Sequence, residues 1–284
     1  MIPASFDYLR PSTIHELLGV LTDPSAEATL LAGGHGLLPA MKLRALRPRL
    51  LVDLARIHDL RGIDIDEARN VIRIGAMTTS GDIERSPLLR SVIPFLPRAA
   101  RQISDPLIRN RATLGGSLVQ ADPQGDWPAV VVAADATLHL RDAHGERRVT
   151  ATEFFAPASF PRIRRDEVLT AVTFPVPAAG EHGVYLKRTH PASGYAMLGV
   201  AIAGSPETGF RVGVAGATVR HSPALDDQLS ELGLEAAQAA AQEVAETFDF
   251  VDNFNASATF RRELFPIYAK RAARAWASGV LASA

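Results

Sequence analysis

The alternation of apolar and polar positions divides this chain into elements before any single residue is considered. In SFDYLRPSTIHELLGVLTD an extended stretch gives way to apolar residues at Ile14, Leu17, Leu18 and Leu21, the spacing of one helix face. Ser12 or Thr13 is placed to cap that helix, with Glu16 at capping-box distance. EATLLAG is expected to be a short strand, Leu37 to Leu43 a short helix, and RLLVDLARI a second strand. VIRIGAMTTSGDIE looks like a strand feeding a turn, and SPLLRSVIPFLPRAARQI is mostly helical despite its prolines. DWPAVVVAADATLHLRDAHGERRVTATEFF begins as a helix and continues as strands, with DAHGERR as a hairpin-like turn. SGD at 80–82 and the loop through 156–160 look like ordinary turns, and DEVLTAVTFPVP is a strand ended by prolines.

The pattern then changes. VPAAGEHG, at 176–183, is small and rich in Pro and Gly, as a domain boundary would be. Beyond it come two alternating apolar stretches, YAMLGVAIAG and GFRVGVAGAT, and two helices, Leu234 to Phe248 and Ala258 to Ser278. Strands followed by helices predict an α+β layer packed beside the first domain.

Two diglycines interrupt the pattern, in LLAGGHGLLPAMKLR and in RNRATLGGSLVQADP. Adjacent glycines carry an entropic cost, so each pair needs a reason. Two reasons remain open: a tight turn, or close approach of a ligand to backbone N–H groups, as when amides before a helix hold a phosphate. Neither segment is a G-x-x-x-x-G-K-[ST] loop or a G-x-G-x-x-G turn, which disfavours a P-loop or Rossmann site. Two separate glycine segments suit a long ligand gripped from two sides, a dinucleotide better than a mononucleotide.

Composition narrows the chemistry. The chain has 284 residues, 47% of them hydrophobic, enough for two domains. A net charge of -1 leaves no footprint for nucleic acid or anionic lipid. There is no cysteine, hence no disulfide and no thiolate-bound iron–sulfur cluster on this chain. No stretch approaches a membrane span and the N-terminus lacks a leader pattern, so a cytoplasmic location is expected, free or peripheral at the inner membrane face. His15, His58, His139, His144, His182 and His221 have no metal-ligand spacing. No acid–base pair or Ser–His–Asp constellation emerges, so no catalytic residue is assigned.

Taken together, AGGHGLLPAMKLRALRPRLLVDL, IGAMTTSGDIE, DPLIRNRATLGGSLVQADPQGDWPAVVVAADA and YLKRTHPASGYAMLGVAI resemble the FAD-binding medium subunit of bacterial molybdenum hydroxylases. That family includes aerobic carbon monoxide dehydrogenase and corresponds to the flavin domain of xanthine dehydrogenase. The resemblance spans essentially the whole chain. It implies a fold of the vanillyl-alcohol-oxidase type: an FAD-binding domain at 1–177, with α+β subdomains at about 1–58 and 59–177, and a C-terminal α+β domain at 178–284.

It also implies a site. Ala32, Gly33, Gly34, His35 and Gly36 would form a first pyrophosphate turn; Thr113, Leu114, Gly115, Gly116 and Ser117 would form a second. Family members carry serine where this chain has Gly36, which keeps the amide and lacks the hydroxyl. Asp126, with Asp122 as a weaker candidate, would accept from ribityl or ribose hydroxyls. Leu169 would contact the isoalloxazine edge through its backbone. Lys187 would sit near the ring and stabilise its anionic reduced form; otherwise it is a surface lysine. Relatives often carry arginine and aspartate after the lysine, at the places of His190 and Gly194 here. Tyr195 would cover a flavin face or pack at the domain seam.

The implied partners are a large subunit with the molybdenum cofactor, a small subunit with two iron–sulfur clusters, and an external acceptor, whether quinone, NAD or oxygen. Three-subunit units would pair into a heterohexamer. The alternatives are a stand-alone FAD-dependent oxidoreductase and a non-catalytic scaffold on a flavin fold.

Overall fold

A computed structural model describes residues 2–156 and 163–279. Residues 157–160 of the turn expected through 156–160 lie outside them.

Residues 7–53 build a small parallel sheet. Strand β1 (Asp7–Leu9), helix α1 (Ile14–Leu21), strand β2 (Ala28–Leu31), helix α2 (Leu37–Lys42) and strand β3 (Leu50–Asp53) follow in order, and the strands pair as β1-β3-β2. Thr13, not Ser12, caps α1: its hydroxyl accepts the Glu16 amide at 3.1 Å, while the Glu16 carboxylate accepts the Ser12 amide at 2.8 Å. Leu17, Leu18 and Leu21 are buried against Val52, Leu54 and Ile57, as the helical spacing predicts. The strand expected through RLLVDLARI stops at Asp53, whose carboxylate accepts the Ala55 amide and starts a 3-10 turn.

A second, antiparallel sheet has the order β4-β5-β8-β6-β7. Its elements run β4 (Ile63–Asp66), β5 (Val71–Gly75), α3 (Ser80–Arg85), α4 (Pro87–Val92), α5 (Phe95–Arg101), α6 (Pro106–Arg109), α7 (Leu114–Gln120), α8 (Asp126–Ala133), β6 (Thr137–Arg141), β7 (Glu146–Thr150), α9 (Ala151–Phe154) and β8 (Val168–Pro175). SGD is therefore not a loop: Thr79 and Asp82 form a capping box and make it the first turn of α3. The second diglycine is likewise no turn. Gly115 and Gly116 lie in the first turn of α7, capped by Thr113, whose hydroxyl accepts the Gly116 amide at 3.1 Å. The hairpin at DAHG forms as expected, with Asp142 accepting the amides of His144 and Gly145.

Every residue of α8 is buried, because it packs on the second sheet and its helices on one side and on a third sheet on the other. This antiparallel sheet is made of β9 (His182–Thr189), β10 (Ala196–Ser205) and β11 (Gly209–Ala215). Its backbone comes so close to α8 that a Cβ on Gly213 would lie 2.0 Å from the Ala129 carbonyl oxygen. Strand β9 starts inside the Pro- and Gly-rich segment at 176–183 that the sequence marks as a domain boundary. Helices α10 (Pro223–Leu232), α11 (Ala237–Val244) and α12 (Ala258–Ala277) cover the outer face. The helix expected from Leu234 to Phe248 is interrupted: α11 is flanked by 3-10 turns at Leu234–Ala236 and Ala245–Thr247. No helix among the described residues is long and apolar enough to cross a membrane.

Candidate functional site

A cleft of about 550 Å3 opens where the first sheet, the helices of the second and the third sheet meet. The chain order explains its walls. The loop after β2 carries Ala32 to Gly36; α7 carries Gly115, Gly116 and Ser117, with Thr113 as its cap; the loop into α8 carries Asp122 to Asp126. Leu169 of β8, and Ser193, Gly194 and Tyr195 between β9 and β10, complete the far end.

The glycines have a physical explanation that the sequence could not supply. A Cβ on Gly33 would lie 2.3 Å from the Arg111 carbonyl oxygen, and one on Gly116 would lie 3.3 Å from the Ala32 Cβ. The two glycine segments are packed against each other. Gly115 is pressed onto Ala76, 2.6 Å from a built Cβ to the Ala76 Cβ. Gly34 has φ +83, a left-handed conformation that a side chain strains.

The segments differ in what they offer a ligand. Leu114, Gly115 and Gly116 donate their amides inside the protein, to the Thr78 carbonyl, the Ala76 carbonyl and the Thr113 hydroxyl. By contrast, the amides of Gly33, Gly34, His35 and Gly36 have no backbone or side-chain acceptor among the described residues. Four amides at the rim of a concave loop suit an anion, and diphosphate is the chemistry that would satisfy several of them at once. The second segment supplies shape, through the missing side chain of Gly116, and the Ser117 hydroxyl. These residues fit the phosphate portion of a dinucleotide.

At the other end, Asp126 is the first residue of α8 and is buried. Its Oδ1 accepts the Tyr185 hydroxyl at 2.5 Å and its Oδ2 accepts Lys187 Nζ at 3.1 Å; Lys187 also donates to the Gly194 carbonyl at 3.3 Å. Burial pushes the Asp126 carboxyl up from the ordinary aspartate value, against the opposing pull of Lys187 and of the Tyr185 hydrogen bond. Burial and the neighbouring Asp126 raise the Tyr185 hydroxyl well above its usual value, and burial raises Tyr195 as well.

Most of the residues singled out in the sequence come together in this cleft, Asp122 and Tyr195 included. Two do not line it. Leu114 points into the core and is fully buried. Lys187 is neither a surface lysine nor a cleft residue: its side chain is 2% exposed and lies behind Asp126. His190 turns to Ser193, whose hydroxyl lies 3.1 Å from Nδ1, and Gly194 takes φ +73.

Sequence reasoning missed Tyr185 and the residues that fix the loop into α8. Tyr185 was accessible in principle, since it and Lys187 are two apart on one strand and so share a face. The others had no local signal. Arg220 donates to the carbonyls of Ala121, Asp122 and Pro123, and Gln124 is held by Asn253, Asn255 and the Ala196 carbonyl. Burial lowers the Arg220 guanidinium to about 10, and its plane lies over Phe155 at 5.4 Å.

Comparison with known proteins follows the same lines. A family model described as the FAD binding domain in molybdopterin dehydrogenase matches residues 4–177. The carbon monoxide dehydrogenase medium chain of Hydrogenophaga pseudoflava is 38% identical over 202 residues, 71% of this chain and 70% of that one. The nicotine 6-hydroxylase medium subunit of Paenarthrobacter nicotinovorans is 30% identical over 266 residues, 90% of this chain and 92% of its own. Among solved structures, carbon monoxide dehydrogenase from Hydrogenophaga pseudoflava superposes with a TM-score of 0.90 at 32% identity, covering 98% of this chain and 99% of that one. Quinoline 2-oxidoreductase from Pseudomonas putida 86 gives 0.86 at 27% identity, covering 99% of this chain and 100% of that one.

Proposed function

This chain belongs to the family of FAD-binding domains in molybdopterin dehydrogenases, and from that membership we propose how it works as the medium subunit of a molybdenum hydroxylase of the carbon monoxide dehydrogenase kind. In this proposal a large partner oxidises the substrate at a molybdenum cofactor, a small partner relays electrons through iron–sulfur clusters, and this chain passes them to a quinone, NAD or oxygen. FAD, when bound, supplies the conversion between single electrons and electron pairs. The first two sheets and their helices act as the two subdomains of a vanillyl-alcohol-oxidase-type fold, and the third sheet with its helices closes the cleft.

The chain's own residues bind and orient. The amides of Gly33 to Gly36 hold the diphosphate, and Gly116 and Ser117 line its other side. Asp126, fixed by Tyr185 and Lys187, accepts from cofactor hydroxyls. Leu169 meets the ring edge through its backbone, and Tyr195 covers a ring face. Lys187 acts on the cofactor through Asp126. The observation that carries this reading is the set of four amides at 33–36 without an acceptor among the described residues.

Binding is expected to be non-covalent, because there is no cysteine and His35 lies among the phosphate-binding amides. Acid precipitation of the purified protein should release yellow FAD into the supernatant. Colour that stays in the pellet would contradict non-covalent binding.

A further inference from the structure

The described residues line a second, half-open cavity, of about 620 Å3, that shares no lining residue with the cofactor cleft. Helix α8 connects the two. Asp126 at its start lines the cleft and Ala133 at its end lines the cavity, about 10 Å apart at the usual helical rise. The cavity lies on a seam: Ile93, Phe95 and Pro175 come from the second sheet and its helices, and Gly183 and Phe210 from the third.

Most of its charged groups are committed. Arg211 pairs with Asp135 at 3.3 Å and His221 with Asp226 at 2.6 Å. Glu181 accepts the Ala178 amide at 2.8 Å. His182 stacks on Trp276, with its ring nitrogens 3.3 and 3.0 Å from the Gly180 and Trp276 carbonyls. Glu181 and the exposed Asp227 have no cationic partner among the described residues, and among the pocket's cations Arg98 alone has no acceptor there. Arg98 is half-buried, it lines the cavity, and it has no hydrogen-bond or ion-pair partner among the described residues. Burial lowers its pKa with no carboxylate to offset the effect. A guanidinium partly shielded from water, with Phe95 and Phe210 nearby and no acceptor of its own, is free to form a charge-assisted hydrogen bond with an anion.

We propose that this cavity is a binding site for a small organic monocarboxylate with an apolar body, its carboxylate held by Arg98 and its body resting against Phe95 and Phe210. A volume of this size suits a small molecule and not a macromolecule. A single negative charge is favoured because Glu181 and the exposed Asp227 line the same pocket without a cationic partner among the described residues and would repel a dianion. Such a ligand bridges the FAD-binding portion and the third sheet, at the opposite end of the helix that carries Asp126.

The test uses the full chain carrying its flavin, with benzoate as the probe followed by calorimetry. Saturable binding at one site per chain is expected, with the flavin absorption spectrum unchanged because the cofactor cleft is not entered. Arg98→Gln should weaken benzoate by at least about tenfold, the loss typical of one charge-assisted hydrogen bond, with flavin content and melting temperature retained. Asp227→Asn should tighten it by roughly twofold, as removal of one exposed like charge does. Benzyl alcohol, which has the same ring without the charge, should not bind. Absence of saturable benzoate binding, equal affinity in Arg98→Gln, weaker binding in Asp227→Asn, equal binding of benzyl alcohol, or a perturbed flavin spectrum would each overturn the proposal.

Discussion

Lys187→Ala is expected to destabilise the protein by about 3–5 kcal/mol at neutral pH, the cost of breaking a buried ion pair by removing one partner. The Lys187 and Asp126 side chains are 2% and 9% exposed, so water replaces the lost contact only in small part. A loss of that size is a large part of a domain's usual margin and corresponds to a fall of roughly 10 °C in melting temperature. Its pH dependence is diagnostic. Burial already raises the Asp126 carboxyl, and without Lys187 only the Tyr185 hydroxyl and the residual solvent oppose that shift. A carboxyl whose folded pKa is raised contributes stability below its unfolded pKa and loses it as pH rises through the folded value. The deficit of the variant should therefore be smallest in mild acid and grow towards neutrality. Thermal unfolding of both proteins between about pH 5 and pH 7 measures this. A deficit below about 1 kcal/mol throughout, the usual worth of an exposed pair, would mean that the pair is not buried in solution.

The second large effect is expected at Gly33. Its missing side chain admits the Arg111 carbonyl oxygen at 2.3 Å and the Ala112 Cα at 3.0 Å from a built Cβ, and both are backbone. Gly33→Val must push the glycine segments apart, at a cost of about 1–3 kcal/mol for overpacking, and with them the two walls of the cleft. FAD content should fall to near zero. Gly116→Val is the informative contrast. There the nearest atom is the Thr113 hydroxyl, at 2.7 Å, a side-chain atom whose displacement costs the cap of α7, about 1 kcal/mol, and moves no backbone segment. That variant should keep most of its stability and lose flavin because the new side chain fills the cleft. Flavin per chain, measured beside the melting temperature, separates the two, and full flavin occupancy in Gly33→Val would refute the packing argument.

These two variants also show how much was legible in advance. The diglycines announced that something approaches the backbone closely, but not what. The answer for Gly33 is the carbonyl of Arg111, far along the chain, and no local pattern encodes such a pairing. Helix α1 was legible because its stripe is dense and its cap sits beside it. Helix α10 was not, since Leu225 and Leu229 are its only buried residues and its remaining positions are largely polar. Strand β4 was missed for a similar reason: it is a short, largely exposed edge strand of alternating Ile and Asp. At the site, residue types on the glycine loop and at Asp126 marked the cleft. The clamp on the loop into α8 came from Arg220, Asn253 and Asn255, which only the docking of the C-terminal elements brings near. The sequence places Lys187 near the ring or on the surface and gives no sign of its buried pairing with Asp126, because strand register decides which way it points.

The measurement that bears most directly on the central claim is anaerobic reduction of the flavin by substrate, with and without partner subunits. The purified chain, free of molybdenum and iron, should keep its flavin absorption when offered carbon monoxide or a purine, yet bleach with a chemical reductant. After co-expression with its genomic neighbours, the flavin of the assembled complex should bleach with substrate alone. Turnover of either substrate by the pure single chain would contradict its assignment as the electron-exit subunit and identify a self-sufficient flavoenzyme.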